Sequence, residues 1–531
     1  MTEAAAAASP WSPLRIGTFR ALWLASLVGN IGTWMQTVAA QWLLVHQPNA
    51  ATLVALVQTA TTLPMVLLAL PSGVLADTFD RRRLLLSVQL FQGTVAAALT
   101  ALTVAGQVTP ALLLTFTFTL GAGAALSNPA YQAIIPGLVP RPELHAASAL
   151  GSVNVNVARA VGPALAGLLL TWVGPAAVFA VNAASFFAFA AVLTAWSHRV
   201  DPDRQPPERF VPALRAGGRY IRHSPITRRI LGHEAAFVVP AIALWALLPL
   251  VADRQLRLGP SGYGLLLAAL GAGAIAGVLS LPRIRGRFSF NRIMATADVV
   301  YAVALVVLVT VPSPVAAILV LLPAGAAWVI ILASLNAAIQ LFLPGWVRAR
   351  GLSAYMIVQA SGQAAGALVW GLLASHVGLR QTYVAAAVLL LAAAVAAQAR
   401  PLHDVHGLDR SPAVYWPEPD LLLDPEPHAG PVAVQNVYTV EPEKESDFLE
   451  AMRDVRRSRM RTGATRWDLY REGEAPDQFV EIYTVPSWDE HLRQHGGRLT
   501  GSDRVSEVRA MALSDPPPAV AHLFPAEDAQ R

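Results

Sequence analysis

Long apolar stretches separated by short polar segments dominate the chain. About twenty consecutive apolar residues suffice for a helix to cross the hydrocarbon core of a bilayer. The pattern therefore predicts an all-α polytopic membrane protein with 12 transmembrane helices in two six-helix bundles. The expected spans lie near residues 19–45, 51–76, 84–106, 110–138, 145–172 and 174–196, and then near 229–252, 261–282, 292–311, 314–342, 351–376 and 380–398.

The polar segments divide the chain further. An N-terminal segment, residues 1–18, precedes the bundle at 19–196, and a Pro- and Arg-rich central linker at 197–228 separates it from the bundle at 229–398. A Pro-rich acidic linker at 399–430 follows. We expect a soluble C-terminal domain at 431–526, called the tail domain below.

The tail domain shows the alternation of apolar and polar residues that is typical of a soluble α+β fold. Its strand, helix, strand, strand, helix, strand order predicts a small ferredoxin-like domain. The expected elements lie at 432–440, 443–460, 465–471, 478–485, 487–495 and 518–524.

The composition supports placement in a membrane. The chain has 531 residues, of which 54% are hydrophobic and 14% charged, and its mean hydropathy is +0.47. Soluble proteins carry about 25% charged residues. The apolar excess is therefore expected to face the lipid bilayer, the first partner of this chain.

The arginines are unevenly distributed between the two sides of the predicted bundles. Those in the loops of one side are Arg81, Arg82, Arg83, Arg141, Arg283, Arg285, Arg287, Arg348 and Arg350. The opposite turns lack arginine except for Arg254, Arg257 and Arg380. The positive-inside rule then predicts a protein of the cell membrane with both termini cytoplasmic. The net charge of +5 does not predict nucleic-acid binding, because these arginines are spread between apolar runs.

Several kinds of chemistry are excluded by residue content. The chain has no cysteine. Its single lysine, Lys444, precedes Glu445, so the phosphate-binding lysine motif of nucleotide hydrolases is missing. His233 and Glu234 lack the second histidine of a zinc-protease helix. We therefore expect no catalytic residues, metal or cofactor, and energy from an ion gradient or another subunit.

A motif between the second and third spans names a family. Gly73-Val74-Leu75-Ala76-Asp77-Thr78-Phe79-Asp80-Arg81-Arg82-Arg83 resembles the Gly-x-Leu-Ala-Asp-x-x-Gly-Arg-Arg loop of the major facilitator superfamily. The resemblance implies a gating contact that holds the outward-facing state, carried here by Gly73, Asp77, Asp80, Arg81, Arg82 and Arg83. Asp80 stands where the family has glycine. The alternative is an ordinary arginine-rich cytoplasmic loop.

A second motif bears on the direction of transport. Gly162-Pro163-Ala164-Leu165-Ala166-Gly167 resembles the Gly-Pro-x-x-Gly-Gly signature of antiporters in the superfamily, with Ala166 in place of one glycine. The resemblance implies an export hinge at Gly162, Pro163 and Gly167. An uptake permease of the same fold is the alternative.

Further similarity covers residues 15–400 and indicates one branch of the superfamily. The runs Phe19–Trp23, Asn30–Gln36, Ser127–Gln132 and Pro344–Arg348 resemble the enterobactin-exporter-like branch, also called transmembrane secretion effectors. That resemblance implies efflux of siderophores, secondary metabolites or drugs as small-molecule substrates. Residues 432–525 are similar to tails with the antibiotic biosynthesis monooxygenase fold.

Ionisable residues inside apolar spans are candidates for ion coupling, since burying them in lipid is unfavourable. Glu234 could exchange a proton or pair with Arg228 or Arg229 at the interface. Arg159 could face an anionic substrate or form a buried structural pair, and Asp298 could serve coupling or helix packing. Span four lacks the Arg-x-x-Gln-Gly motif of many proton antiporters, so use of a proton gradient is implied by kinship.

Polar residues four apart on one helix face are candidates for lining a cavity. These pairs are Asn30 with Trp34, Asn336 with Gln340, and Gln359 with Gln363. The alternative for each is an interhelical hydrogen bond without substrate contact.

The tail domain leaves two roles open. Trp467, Trp488, His491 and His495 could serve oxygenation without a cofactor, but no paired nucleophile and base accompanies them. A regulatory, docking or self-associating module is favoured. A membrane-tethered sensor or enzyme acting through this domain is the remaining alternative.

Overall fold

The computed structural model describes residues 11–196, 210–399 and 421–526, apart from 424 and 427. The chain forms two compact units. The first comprises Met1–Gln205, His233–Leu335 and Met356–Pro401, and the second Pro206–Gly232, Asn336–Tyr355 and Leu402–Arg531.

All regular secondary structure in the described part of the chain before residue 400 is helical. Those of the first half are α1 (Gly17–Leu43), α2 (Ala50–Leu67), α3 (Ala69–Thr78), α4 (Arg81–Val104), α5 (Pro110–Leu138), α6 (Leu144–Trp172) and α7 (Pro175–Ala195). Those that follow are α8 (Phe210–His223), α9 (Pro225–Leu250), α10 (Pro260–Arg285), α11 (Phe290–Thr310), α12 (Pro314–Phe342), α13 (Gly345–Val377) and α14 (Leu379–Ala399).

The prediction of twelve spans is confirmed. Within the described residues, 11 helices are long and apolar enough to cross a membrane. Helix α1 is the twelfth by its length of 27 residues, and it carries the polar residues Asn30, Gln36 and Gln41, which lower its hydropathy. With α2 and α3 counted as one span, six spans precede the amphipathic helix α8 and six follow it.

The span predicted near 51–76 consists of two helices, α2 and α3. Leu68 has φ −100° and ψ 3°, and it separates α2 from α3. The break follows Leu67, which lies four residues before Pro71, and Pro71 has no N–H to bond the Leu67 carbonyl. The Leu68 amide still donates to the Pro64 carbonyl at 2.8 Å, so helical hydrogen bonding continues up to the bend. The apolar residues continue on both sides of the bend, so hydropathy alone does not reveal it.

The central linker contains more helix than its polar composition suggested. Helix α8 occupies Phe210–His223, and α9 begins at Pro225 rather than at 229. Residues 197–209 of the predicted linker lie outside the described residues. Helix α8 buries Ala216 and Tyr220, one turn apart, while Arg215 and Arg222 lie on its more exposed faces.

The tail domain has the predicted order of elements with one helix added. They are β1 (Val432–Thr439), α15 (Glu445–Thr462), β2 (Arg466–Arg471), β3 (Gln478–Val485), α16 (Trp488–Arg493), α17 (Gly501–Met511) and β4 (Ala519–Leu523). The strands form one sheet in the order β2-β3-β1-β4, and all neighbouring pairs are antiparallel. This is the predicted α+β ferredoxin-like arrangement. Phe448, Met452 and Val455 of α15 pack on the sheet beside Tyr438 and Phe479.

The added helix α17 was missed because its sequence is polar and weakly periodic. A start signal was nevertheless present. The Thr500 side chain and the Asp503 carboxylate form a reciprocal capping box, with the Thr500 amide donating to Asp503 Oδ2 at 3.0 Å.

The tail domain shares the second unit with α8 and with the segment that joins α12 to α13. The rings of Tyr220 and Trp346 meet edge to face at 5.7 Å. The Arg461 guanidinium lies 5.8 Å from the Tyr220 ring, and that of Arg498 lies 4.9 Å from the Trp346 ring. Arg219 adds an ion pair with Glu490 at 3.7 Å.

Candidate transport pathway

The two bundles of the first unit meet where α6 crosses α10. A Cβ atom on Gly264 would lie 2.6 Å from the Pro163 carbonyl oxygen and 3.1 Å from the Gly167 Cα. A Cβ on Gly271 would lie 2.7 Å from the Ala160 Cα. Such approaches are shorter than any side chain tolerates, so only glycine permits this crossing.

Gly162 gives α6 an equally close contact with α1. A Cβ there would lie 2.7 Å from the Trp34 Cβ and 3.1 Å from the Ile31 carbonyl oxygen. Pro163 is buried between these contacts. The structure thus gives Gly162, Pro163 and Gly167 a packing role, and the export hinge stays a prediction.

A second crossing joins the bundles through α2 and α13. A Cβ on Gly371 would overlap the Ala55 side chain. The Thr59 hydroxyl donates to the Ala364 carbonyl at 2.9 Å. Both crossings pair one helix of the first bundle with one of the second.

Polar contacts join α1 to the second bundle near one end. The Tyr263 hydroxyl donates to Gln41 Oε1 at 2.7 Å, and the Gln41 amide donates to the Trp245 carbonyl at 3.4 Å. Beside them, His46 Nε2 lies 3.3 Å from Asp253 Oδ1. Sequence reasoning missed Gln41, although a glutamine inside an apolar span was the available signal.

These contacts all lie in the half of the bundles away from the arginine-rich loops. Toward those loops, a Cβ on Gly73, Gly137 or Gly151 would meet no heavy atom of the described residues within 4 Å, whereas a Cβ on Gly277 of α10 would lie 2.8 Å from the Ala326 Cα of α12. The gating role of the 73–83 motif, Gly73 included, stays a prediction.

A guanidinium occupies the region between the bundles. Arg159 of α6 has its Cζ 5.7 Å from the centre of the Trp34 ring. Its Nε is buried and has no hydrogen-bond partner among the described residues. In that part of the chain no carboxylate lies within 4 Å of this side chain, so the structure does not support the alternative of a buried structural ion pair.

The ring of Trp34 begins a run of aromatic contacts into the second bundle. Trp34 lies 5.8 Å from Trp245, and Trp245 lies 5.7 Å from Trp328. Phe237 and Tyr301 each pack on Trp328, at 5.5 and 6.1 Å between ring centres. We call Trp34, Phe237, Trp245, Tyr301 and Trp328 the aromatic cluster.

Two buried carboxylates lie next to this cluster along the chain. Glu234 is fully buried, and Asp298 is 5% exposed with an Oδ1 that has no hydrogen-bond partner in the described part of the chain. Glu234 lies three residues before Phe237, and Asp298 lies three before Tyr301, and these two rings are 5.5 Å apart. Both carboxylates are thus about one helical turn from the same aromatic contact.

The gating motif positions its arginines within the first bundle. Arg81 donates to the Ala133 carbonyl of α5 at 2.7 Å, and Arg82 donates to the Leu193 and Thr194 carbonyls of α7 at 2.7 and 2.9 Å. The last carbonyls of a helix lack intrahelical partners, which makes them good acceptors for a guanidinium. The arginines therefore hold the start of α4 against α5 and α7.

The remaining members of the motif have simpler positions. Asp80 is the N-cap of α4 and accepts from the Arg83 amide at 2.8 Å. A carboxylate at a helix N-terminus is favourable, which accounts for Asp80 at the family's glycine position. The Arg83 side chain is exposed, and the side chain of Asp77 lies outside the described residues.

The predicted cavity residues have these contacts within their own units. Asn30 donates to Asn154 Oδ1 at 2.8 Å, and Asn154 donates to the Trp23 carbonyl at 2.9 Å, as the interhelical alternative expects. Asn336 and Gln340 hydrogen-bond to each other along α12. Gln359 and Gln363 are half-buried on α13, and Trp34 lies beside Arg159. Their role in lining a cavity stays a prediction.

The histidines of the tail domain form a buried group. His491 Nε2 lies 3.1 Å from His522 Nε2, and the ring of His495 lies 4.8 Å from that of His491. Burial, followed by the nearby His522 and Arg459, lowers the pKa of His491 to about 3. Burial likewise lowers the pKa of His495 to about 2, so both are neutral near pH 7. Trp467 donates to the buried Glu481 at 2.8 Å.

A family model described as "transmembrane secretion effector" matches residues 8–530. The chain belongs to that family. The match confirms the family and the major facilitator superfamily inferred from the residue 73–83 motif. The match also confirms that the chain belongs to a family of multi-pass membrane transporters and not to a family of enzymes.

Curated relatives of this secretion effector match about half of it. The staphyloferrin A transporter of Staphylococcus aureus (strain NCTC 8325 / PS 47) is 22% identical over 276 residues, 52% of this chain and 69% of its own. The enterobactin exporter EntS of Shigella boydii serotype 4 (strain Sb227) is 30% identical over 267 residues, 49% of this chain and 62% of its own. The chain thus matches less than two thirds of EntS.

Solved structures support the fold of the secretion effector. A bacterial homologue of the human lysosomal transporter Spinster, in an inward-facing and unoccupied conformation, is 19% identical with a TM-score of 0.58 over 72% of this chain and 96% of its own. The nucleoside transporter NupG is 14% identical with a TM-score of 0.56 over 72% and 98%. The likeness of the tail domain to the monooxygenase fold stays a prediction.

Proposed function

We propose that this secretion effector exports small anionic or amphipathic molecules, such as siderophores, secondary metabolites or drugs, by proton-coupled alternating access. The observation that carries the proposal is Arg159, a half-buried cation without a carboxylate partner in the described residues, which lies on Trp34 between the two bundles. A transporter of this fold binds its substrate near the bilayer midplane, where the bundles meet.

The conformation fits one state of such a cycle. The inter-bundle contacts lie away from the arginine-rich loops, and Gly73 and Gly151 toward those loops face open space. We propose that the arginine-rich side is cytoplasmic, as the positive-inside rule predicts. The structure then corresponds to the state that loads a molecule from the cytoplasm.

The chemistry around Arg159 suggests the class of cargo. A guanidinium binds carboxylates and other planar anions with two parallel hydrogen bonds, and the aromatic cluster supplies apolar faces for rings. An anionic molecule with aromatic or apolar parts would satisfy both. The names of the two curated relatives, which are transporters of enterobactin and staphyloferrin A, support siderophores as first candidates.

Coupling to protons is assigned to Glu234 and Asp298. An intramembrane carboxylate is a functional candidate because its charge is unfavourable in lipid. Protonation would remove that charge and so allow the transporter to close around the neutral side chain. When the pathway opens to water again, the carboxyl group would release its proton. Gly162 and Pro163 support export as the direction.

Accumulation in everted membrane vesicles with an imposed proton gradient tests this function. We expect saturable accumulation of enterobactin or staphyloferrin A that an uncoupler abolishes. Arg159→Gln should reduce accumulation at least tenfold, whereas Arg380→Gln, which removes an exposed arginine, should not.

Two results would contradict the proposal. One is the absence of accumulation of every siderophore, macrolide and dye tested. The other is accumulation that remains gradient-dependent and unchanged in the combined variant Glu234→Gln/Asp298→Asn. Uptake in right-side-out vesicles instead of everted ones would assign the permease direction.

A further inference from the structure

A cationic cavity of about 540 Å³ lies within the second unit. One wall comes from the end of α8 and the start of α9, and the other from α15 of the tail domain. The basic lining residues are Arg222, His223, Arg228, Arg453, Arg456 and Arg457. The other two lining residues are Pro225 and Met460, so no carboxylate lines the cavity.

Most of these arginines have no compensating carboxylate. Arg457 pairs with Asp454 at 2.9 Å on the same helix. In the described part of the chain, Arg222, Arg228 and Arg453 form no ion pair within 4 Å. Arg456 likewise has none, and its guanidinium lies 5.7 Å from the Trp467 ring.

The positive charges of these arginines also act on His223. Its pKa is lowered first by burial and then by Arg222, Arg456 and Arg228. These arginines come from both walls, so the two walls act on a common point. The lining of the cavity and the lowered pKa of His223 thus both indicate that arginines from the two walls converge.

Several arginines elsewhere in the second unit are matched by carboxylates. Arg219 and Arg498 both pair with Glu490, at 3.7 and 2.7 Å, and Arg461 pairs with Asp503. The exposed arginines that converge on the cavity repel one another, and an anion bound between them would relieve that repulsion. The unmatched arginines are therefore suited to bind an anion.

We propose that this cavity binds a phosphate-bearing anion between the central linker and the tail domain. Arginine is suited to phosphate because its planar guanidinium can donate two hydrogen bonds to one phosphate group. Four uncompensated guanidinium groups exceed the charge of one phosphodiester, and the volume admits a diphosphate or a lipid headgroup.

Two sources share this chemistry. Arg222 and Arg228 flank Pro225, where the membrane-spanning helix α9 begins, and basic residues at such a position attract anionic lipid headgroups. A soluble diphosphate or triphosphate would serve the same guanidinium groups. In either case the anion touches both walls and would hold the tail domain against α8.

Binding to the purified full-length chain in a neutral detergent distinguishes these sources. Inorganic pyrophosphate is titrated by calorimetry at low salt, and retention of phosphatidylglycerol against phosphatidylcholine is measured by native mass spectrometry. The test variant is Arg222→Gln/Arg456→Gln. The matched control is Arg466→Gln/Arg509→Gln, which removes two arginines outside the cavity.

We expect about a hundredfold weaker binding in the test variant, from roughly tenfold for each charge-assisted contact, and no change in the control. Loss of pyrophosphate binding indicates a soluble phosphate, and loss of phosphatidylglycerol retention alone indicates a headgroup. If neither probe binds the native chain, or the control loses as much as the test variant, the proposal is wrong.

A stability measurement guards against misfolding of the variant. Because removal of repelling charges should not harm the anion-free chain, the test variant should melt no lower than the native chain without anion. It should also lose the rise in melting temperature that the anion causes in the native chain. If it melts lower, Arg222→Lys/Arg456→Lys is compared, which keeps both charges; it should bind the anion more weakly than the native chain, and binding as tight as that of the native chain would overturn the assignment to guanidinium groups.

Discussion

The Arg159 guanidinium lies 5.7 Å from the centre of the Trp34 ring, and this contact joins α6 to α1 at the point where Gly162 packs on the Trp34 Cβ. A cation over an indole face is attracted by the ring quadrupole. Trp34 in turn contacts Trp245 of the second bundle, so one residue orients the cation and borders the inter-bundle space.

Replacement of Trp34 should therefore weaken substrate binding in a graded way. We expect Trp34→Leu to raise the KM for an anionic substrate about two- to thirtyfold, the range of a lost cation–π contact, and Trp34→Phe to raise it less. The measurement is the concentration dependence of vesicle accumulation. Trp172→Leu, at a tryptophan that is 77% exposed, is the control. An unchanged KM in Trp34→Leu would show that Trp34 does not contribute to substrate binding.

A larger side chain at the α6–α10 crossing should open the contact between the bundles. A Cβ on Gly264 would already lie 2.6 Å from the Pro163 carbonyl oxygen, so Gly264→Leu should destabilise this conformation by about 1–3 kcal/mol. The chain lacks cysteine, so paired spin labels on introduced cysteines can report the distance between α6 and α10. Gly151→Leu, at a glycine with open space around it, should leave that distance unchanged. Equal distances in both variants would contradict the assignment of Gly264 to the closed contact.

Arg82 should contribute to the stability of the first bundle more than its neighbour does. Arg82→Gln removes two hydrogen bonds to the Leu193 and Thr194 carbonyls, which should cost about 1.5–3 kcal/mol. The exposed Arg83 offers the matched control Arg83→Gln. The melting temperatures of the two variants in detergent check this prediction. Equal melting temperatures would show that the Arg82 hydrogen bonds do not stabilise the first bundle.

Sequence reasoning located the spans and the tail strands because both depend on local patterns. Twenty-residue apolar runs mark membrane helices, and alternation such as that of Val432 and Val434 marks a half-buried strand. The capping box of Thr500 and Asp503 was also local, although it was overlooked. These features could be read before any contact was known.

The remaining features depend on contacts between distant residues. Asn30 looked like a cavity residue, and its bond to Asn154 arises only when α1 and α6 pack together. The bend at Leu68 leaves the apolar run intact. Likewise, no local pattern could bring Arg222 and Arg456 to one cavity, because they are 234 residues apart in the chain by their numbers, 456 minus 222.

The buried histidines should make the tail domain sensitive to acid. The pKa of His491 falls from an ordinary 6.5 to about 3, and that of His495 to about 2, chiefly through burial. Below pH 6.5 the unfolded domain therefore binds more protons than the folded one, so its stability is full above pH 6.5 and falls as the pH drops toward 3. With two extra protons bound, the loss reaches up to about 2.7 kcal/mol per pH unit.

Hydrogen exchange of residues 431–526 in the full chain checks this acid sensitivity without isolating the domain. Protection of β1 and β3 should decrease steeply between pH 6 and 4 after correction for the intrinsic exchange rate. His495→Gln, which cannot gain the proton, should reduce the slope by about half, since one of two extra protons is lost. His376→Gln, at an exposed histidine of α13, should leave the slope unchanged. A native slope that matches the His495→Gln slope would show that burial of His495 does not govern the acid response of the tail domain.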